Sequence, residues 1–485
     1  MDEAGPPSAT VVFGLAMDLT HKSGGARRNG AISHWYREIG IPAARPPLDG
    51  DRHVDICIVG GGFTGLWTAY YLSHERPDAE IVVLEREFAG FGASGRNGGW
   101  VSDHFAGRRE QMARSHGREA VIAMQRALQA TIDEILDVCV QEGIEADLIK
   151  PGMLAVARSA AQQARLHDAL DEAREWDQGP EDLVALSASE LEQRLRVSGA
   201  RGALFTPHCA RAQPAKLVTG LARAVAARGV TIFEDTTVQA LEPGLARTDR
   251  GTVHAPVVLR CLEGFTASLQ GARRELLPLN SAMIVTDPLG DERWNEIGWE
   301  QAEPVGDLAH AYMYAQRTAD GRIALGGRGV PYRFGSRTDR WGATQSATIE
   351  QLTTILHAMF PAAVGVTIDQ AWCGVLGVRR DWTPTVHFDR AEGIGEAGGY
   401  VGSGVSASNL AARALTELVL GRDSALTQLP WVRGLARRWE PEPLRFAGAR
   451  LVYGLYRAAD RRESASSSPG SDPLARLAGL VSGRG

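Results

Sequence analysis

Apolar residues fall in short unbroken runs in some parts of the chain and at three- and four-residue spacing in others. This alternation predicts an α/β protein. "VDICIVG" is an apolar run closed by glycine, as a strand buried on both faces should be. "FTGLWTAYYLSHE" follows as a helix stopped near Pro77, and "EIVVLE" as a second strand. Residues 109–148 read as helical, and "GMLAVA" as another strand. "PAKLVTGLARAVAARGVTIFEDTTVQALEPG" predicts a helix, a glycine stop and one or two strands, and "TVHAPVVLRCLEG" a further strand pair. Residues 280–334 are strand-rich, "QSATIEQLTTILHAMFP" is a helix, and "GGYVGSGVSASNLAARALTELVLG" is a strand, a glycine turn and a helix.

The α/β signals at 54–107, 214–265 and 398–421 are separated by more antiparallel-looking blocks. They predict a discontinuous Rossmann-like nucleotide-binding domain over 51–107, 200–275 and 365–425. An inserted α+β domain on a mixed or antiparallel sheet takes 108–199 and 276–364. Loop-rich residues 1–50 read as an N-terminal arm and 426–485 as a helical extension.

Length and charge change little in that picture. A chain of 485 residues, 44% of them hydrophobic, exceeds what one core usually holds. A net charge of −6, with arginine pairs scattered along the chain, argues against a nucleic-acid partner. The five cysteines are odd in number, far apart and without a CxxC, so neither a disulfide framework nor a metal site is expected. A reducing compartment, the cytoplasm, fits them. No apolar run reaches 18 residues and the acidic start lacks the pattern of a secretory leader, so no membrane span is expected. Lys22, Lys150 and Lys216 are the only lysines.

Two glycine turns carry the chemistry. Gly60-x-Gly62-x-x-Gly65 stands between a strand and a helix, where its glycines make the tight turn, admit a pyrophosphate and let the helix pack close. Glu85 ends the next strand, 20 residues on, where a carboxylate accepts hydrogen bonds from an adenosine ribose. The chain then enters "REFAGFGASGRNGGWVS" rather than further βα units. Such a loop suits a flexed pyrophosphate and a flat ring, with Ser94 and Asn97 as hydrogen-bonding groups. The second turn, "YVGSGVSASNL", brings Gly402-Ser403-Gly404 to the start of a helix.

"VGGGFTGLWTAYYL", "VVLE" and "GASGRNGG" together resemble the D-amino-acid oxidase (DAO) superfamily of FAD enzymes, most closely its gamma-glutamylputrescine oxidase-like branch, over roughly residues 30–425. That resemblance implies a two-domain flavoprotein with a mixed sheet as one wall of the substrate pocket. It implies that Gly60, Gly62, Phe63, Thr64 and Gly65 hold the pyrophosphate of FAD, and that Glu85 and Arg86 border the adenosine. Ala93, Ser94, Arg96, Asn97 and Gly98 would run along the ribityl chain and ring. Val238 would contact adenine, and Gly404, Val405 and Ser406 would present a helix N-terminus to the flavin.

Departures from relatives bear on the substrate. Leu376 stands where glycine oxidases carry a carboxylate-gripping arginine, so an amine whose charge lies elsewhere is favoured over an α-amino acid held that way. Arg379 is an alternative anion site and Trp372 core or pocket wall, while Ser403 replaces the histidine of the branch's "GHG". These three are the pocket candidates. Gly374, not Cys373, aligns with the flavin-linking cysteine of monomeric sarcosine oxidases, so FAD is expected to be non-covalent. Ala324 stands near the oxygen-activating lysine of those enzymes, which leaves oxygen or another electron acceptor open. Tyr312 or Tyr314 is a candidate to face the flavin, and the histidines, His208 and His310 among them, read as structural.

The expected enzyme is an FAD-dependent amine or amino-acid oxidase or dehydrogenase, giving an imine that water hydrolyses. An FAD monooxygenase, an NAD-dependent dehydrogenase and a non-catalytic flavoprotein subunit remain alternatives.

Overall fold

The computed structural model describes residues 27–327, 332–339 and 341–483. The run "VDICIVG" forms the strand Ile56–Val59, inside a six-stranded sheet. Across that sheet the strands run Thr231–Phe233, Ile81–Leu84, Ile56–Val59, Val257–Arg260, Ile394–Gly398 and Thr385–Asp389. The first five are parallel and the last is an antiparallel edge.

Successive strand residues point to opposite faces, and the burial follows that period. Ile56 and Ile58 share a core with residues of the helices Phe63–Glu75, Pro214–Ala227 and Gly404–Leu420. Cys57 and Val59 instead meet Ala246 and Val253 of a four-stranded sheet on the other side. A continuous apolar strand is therefore required at this position, because both faces are covered.

A nine-stranded mixed sheet forms the second body. Its order is Arg28–Asn29, Ile368–Val378, Leu277–Thr286, Ile323–Gly327, Met313–Arg317, Val305–Asp307, Met153–Ala157, Gly202–Thr206 and Val184–Ser187. On one face Ala282, Ile284, Ala371 and Cys373 pack with Ile349, Leu352 and Leu356 of the helix Ser346–Met359. On the other, Met283, Val285, Ala324 and Trp372 meet Trp35, Tyr36 and Phe91.

Several sequence boundaries shift. Gly202–Thr206 and Ile368–Val378 lie in the nine-stranded sheet, although 200–275 and 365–425 were expected in the nucleotide-binding unit. Ile368–Val378 pairs along its length with Leu277–Thr286, a partner that local sequence does not identify. The helix Arg118–Gln141, expected in the inserted unit, puts Leu128, Ile132 and Ile135 into the same core as Leu410 and Leu415. A helix, Asp291–Ile297, interrupts the strand-rich stretch, with Asp291 and Glu292 in its first turn and Gly298 closing it.

The supposed arm is also more than an arm. Its residues 1–26 lie outside the described residues, but Arg28–Asn29 is a strand of the large sheet and the helix His34–Ile39 buries His34, Trp35 and Tyr36. Asp369 pins this segment by accepting from Arg28 at 2.7 Å, Arg37 at 2.9 Å and Arg322 at 2.8 Å. Burial pushes the Asp369 carboxyl up, but the hydrogen bond and charge of Arg37, with Arg322 and Arg28, outweigh it and hold it at about 2. Among the described residues no helix is long and apolar enough to cross a membrane.

A carboxyl lowered in the folded state stabilises the fold above its unfolded value and loses that contribution as pH falls through the folded one. Asp369→Asn should therefore cost about 2 kcal/mol at neutral pH, the loss of a partnered, mostly buried charge. The gap from the parent protein should close between pH ~4 and pH about 2, read as midpoints of chemical denaturation across that range.

Candidate functional site

Gly60 leaves the strand Ile56–Val59 and the helix starts at Phe63, so the first glycine turn is the shortest link between them. A Cβ on Gly65 would lie 1.9 Å from the Gly60 carbonyl oxygen, which is why glycine is needed where helix meets turn. The N-cap, Gly62, brings no side chain to the helix end. Ser94 supplies one instead, its Oγ accepting from the Phe63 N–H at 2.8 Å. The Glu85 carboxylate accepts from the N–H groups of Gly61 at 2.8 Å and Glu87 at 3.0 Å. Burial raises the Glu85 pKa, and those two N–H groups oppose it.

The loop at 91–99 is held by its backbone. Five successive carbonyls each accept a hydrogen bond from a different place: Gly95 from Ser33 (2.8 Å), Arg96 from the Trp372 indole (2.9 Å), Asn97 from the Trp35 indole (2.9 Å), Gly98 from Gln316 (2.7 Å) and Gly99 from the Ala212 N–H (2.8 Å). The two polar side chains turn inward rather than outward. Asn97 donates to the Ser94 carbonyl at 2.8 Å and accepts from the Gly99 N–H at 2.7 Å. Arg96 is 2% exposed, donates to the Phe91 carbonyl at 2.7 Å and lies 4.2 Å over the Phe91 ring. Burial brings it down to about 10, which leaves it charged at neutral pH. A Cβ on Gly98 would come within 2.7 Å of the Tyr314 ring, so glycine lets the loop lie flat on that tyrosine.

The opposing strand face is fixed by register. Gly374 pairs with Ser281, Trp372 with Met283 and Leu376 with Leu279, which puts these side chains on one face. That face meets the loop: a Cβ on Gly374 would sit 3.4 Å from Arg96 Cβ and 3.7 Å from Ala93 Cα. Cys373 points the other way, into the core against the helix Ser346–Met359. On the loop-side face of these strands Ser281, Leu376 and Tyr314 are half-buried, and the Ser281 and Tyr314 hydroxyls are 2.9 Å apart. Nothing local marks Ser281; the break in a buried strand pattern becomes visible only once the strands are paired.

Two of the three pocket candidates are engaged elsewhere. Trp372 is fully buried between the loop and Trp35, 5.8 Å away edge-on, so it is core and not pocket wall. Arg379 is buried in an ion pair with Glu396, which Arg260 shares, and this replaces the open anion site expected of it. Its neighbour Arg380 pairs with Glu440 rather than Asp381. Ser403 is the N-cap of Gly404–Leu420, half-buried and making no side-chain capping bond. Behind it Val405 and Ser406 are buried, the Ser406 hydroxyl donating to the Ser102 carbonyl. Val238 starts a strand of the four-stranded sheet, opposite Thr248, and Arg86 lies 5.4 Å over the Phe265 ring.

Two further groups connect the turns. The Thr64 hydroxyl meets that of Tyr400 at 3.1 Å, joining the first turn to the second. Glu263 accepts from the Tyr400 N–H at 3.0 Å, and burial raises its carboxyl from an ordinary 4.5 to about 7.

A glycine turn at a helix N-terminus, a carboxylate at the end of the next strand, a glycine loop and a second helix N-terminus fit a flavin dinucleotide in chemistry and order. The family profile described as FAD-dependent oxidoreductase (DAO) matches residues 55–418. The chain belongs to that family. FAD is thus the cofactor of this oxidoreductase, on a Rossmann-like fold. It is 29% identical to the gamma-glutamylputrescine oxidoreductase of Escherichia coli K12 over 388 residues, 78% of this chain and 86% of that protein. It is 27% identical to the probable oxidoreductase OrdL of Rhizobium meliloti over 436 residues, 88% of this chain and 97% of that protein. The glycine oxidase of Geobacillus kaustophilus superposes with a TM-score of 0.67 at 18% identity, covering 80% of this chain and 99% of that one.

Gly98→Ala should drive its new methyl into Tyr314 and lower the FAD content of the purified protein well below that of the parent, measured by flavin absorbance per chain. Glu263 tests the electrostatics. A carboxyl raised in the fold binds its proton more tightly there, so stability falls as pH rises from the unfolded value to the folded one. Glu263→Gln should be more stable than the parent at pH ~8, with the difference opening between 4.5 and about 7 in thermal melts.

Proposed function

We propose that this oxidoreductase oxidises a primary or secondary amine, or an amino acid, to an imine that water hydrolyses to an aldehyde or keto product. The observation that carries this is the Gly374 strand face lying against the 91–99 loop, with Ser281, Tyr314 and Leu376 the half-buried side chains there. FAD, when bound, supplies a hydride acceptor, at N5, for the α-carbon of the amine. Names among the relatives support the class: gamma-glutamylputrescine oxidoreductase and glycine oxidase both concern compounds with a C–N bond beside an oxidisable C–H.

The protein's part is binding and positioning. Gly60, Gly62, Phe63, Thr64 and Gly65 hold the pyrophosphate, Glu85 and Arg86 the adenosine, and Val238 the adenine side. Ala93, Ser94, Arg96, Asn97 and Gly98 form the bed for the rest, Arg96 and Asn97 by bracing its backbone. Gly404, Val405 and Ser406 open the helix Gly404–Leu420, whose N-terminus would favour added negative charge on a ring placed before it by about 1 kcal/mol. Ser281 and Tyr314 offer hydroxyls to the amine nitrogen, while Leu376 and Met283 keep their surroundings apolar. An apolar site favours the unprotonated amine, whose lone pair forms the C=N bond as the hydride leaves. The nitrogen proton then passes to water. Cys373 faces away from this site, which supports non-covalent FAD. Oxygen or another acceptor would take the electrons, and Ala324, buried on the loop-side face, brings no charge there to assist oxygen.

Anaerobic titration of the FAD-loaded protein with primary amines, secondary amines and amino acids checks this directly. One class should bleach the flavin band and release carbonyl product, and admitting air afterwards separates oxygen from other acceptors. A flavin reduced only by NAD(P)H would contradict the proposal.

A further inference from the structure

The chain beyond the family's span, past residue 418, does not hang free. Trp439 donates its indole N–H to the Val378 carbonyl at 2.7 Å and its backbone N–H to the Arg274 carbonyl at 2.7 Å. Val378 ends the strand that carries Leu376. Glu442 then accepts from the N–H groups of Gly335 and Phe446, each at 3.1 Å, and from the Tyr332 hydroxyl. These bonds set the start of the helix Leu444–Ala465, and with it the Phe446 ring, 5.6 Å edge-on to Phe334. The last helix, Pro473–Ser482, is fastened where the Ser482 carbonyl accepts from the Trp382 indole at 2.9 Å and from Arg380 at 3.2 Å.

One apolar cluster results. It contains Leu279, Tyr332 and Trp439, with Leu376, Val401 and Phe446 packed on it. Leu279 and Leu376 are a cross-strand pair on the face that meets the 91–99 loop, one step along from Ser281 and Gly374. Val401 belongs to the second glycine turn and holds a φ of 60°, a left-handed conformation that β-branched residues avoid. Such strain persists only where surrounding packing fixes it. The extension thus touches the strand face that bounds the proposed amine position, and also the turn before Ser403.

We infer, on the amine-oxidising role proposed above, that the C-terminal extension is the far wall of the amine site and that Phe446 makes it select amines with an apolar substituent. The wall offers the half-buried Leu376 and Phe446, backed by the buried Leu279 and Tyr332, so a tail reaching past Ser281 exchanges water for hydrocarbon and ring surface. A short amine gains nothing from that exchange.

The test is titration calorimetry of the full-length, FAD-loaded protein, reduced with dithionite and kept anaerobic so that no turnover occurs, with methylamine and hexylamine. These amines are equally basic and differ in tail. The parent should bind hexylamine at least about tenfold more tightly. Phe446→Ala should shrink the ratio to within about threefold, while Phe446→Leu keeps most of it. FAD content and melting temperature show whether each variant is intact. Should Phe446→Ala lose FAD, Ala449→Trp, which crowds the same wall, should weaken hexylamine and spare methylamine. An unchanged ratio in an FAD-retaining Phe446→Ala protein, or equal binding of both amines by the parent, would overturn the inference. Hexylamine and the panel of primary amines, secondary amines and amino acids, added to the oxidised protein, separate the two ideas. Selective hexylamine binding with no flavin reduction by any class would sink the amine-oxidising role alone, and reduction without tail selectivity would sink the wall alone.

Discussion

The site depends on a row of hydrogen bonds to five backbone carbonyls, Gly95 to Gly99, donated by Ser33, Trp372, Trp35, Gln316 and Ala212. A loop so rich in glycine has high conformational entropy when unfolded and few side chains to bury. Its order must come from elsewhere. The donors belong to the N-terminal segment, the nine-stranded sheet and the stretch entering the helix Pro214–Ala227, so one loop fastens these parts to each other. Its polar side chains complete the brace from within: Asn97 closes the backbone on itself, and Arg96 fills the space beneath as a buried, charged guanidinium. The outcome is a firm bed made almost wholly of backbone, suited to a flat ring and a phosphate chain.

A second set of buried charges sits under the other turn. Arg379 and Arg260 share Glu396, and Glu263 reaches the backbone of Tyr400 beside them. Removing Glu396 would leave the Arg379 charge buried without its ion-pair partner, which is costly. The group therefore fixes the relation between the end of the strand Ile368–Val378 and the turn that starts the helix Gly404–Leu420. Thr64 and Tyr400 add a link from that turn to the first. Both glycine turns and the loop are thus tied to one another before any ligand is considered.

Much of this was legible in the sequence where the cause is local. The strand Ile56–Val59, the turn Gly60 to Gly65, the helix Phe63–Glu75 and Glu85 follow from an apolar run, glycine spacing and a carboxylate within one βαβ unit. The helices Ser346–Met359 and Gly404–Leu420 follow from apolar periodicity. What could not be read is whatever depends on a distant partner. Ser33 and Trp35 look like residues of a loop-rich arm until they are seen under the Gly95 and Asn97 carbonyls. Arg379 resembles a pocket cation until Glu396 is found opposite it, across a turn and two strands. Asn97 has the right chemistry for a ligand, and nothing in "GRNGG" tells that its amide faces its own loop. The sheet that Gly202–Thr206 and Ile368–Val378 join is not legible locally, because a strand beside a domain crossing carries no mark of it.

The most direct measurement is a crystal structure of the FAD-loaded protein. The account predicts the adenosine ribose on Glu85, the pyrophosphate at the Gly60–Gly65 turn, and the flavin ring lying on the 91–99 loop with one edge toward Ser281, Tyr314 and Gly374. It also predicts that the five carbonyl hydrogen bonds of that loop are unchanged. A flavin ring bound elsewhere, or a loop that releases Trp35 and Trp372 to admit the cofactor, would contradict it.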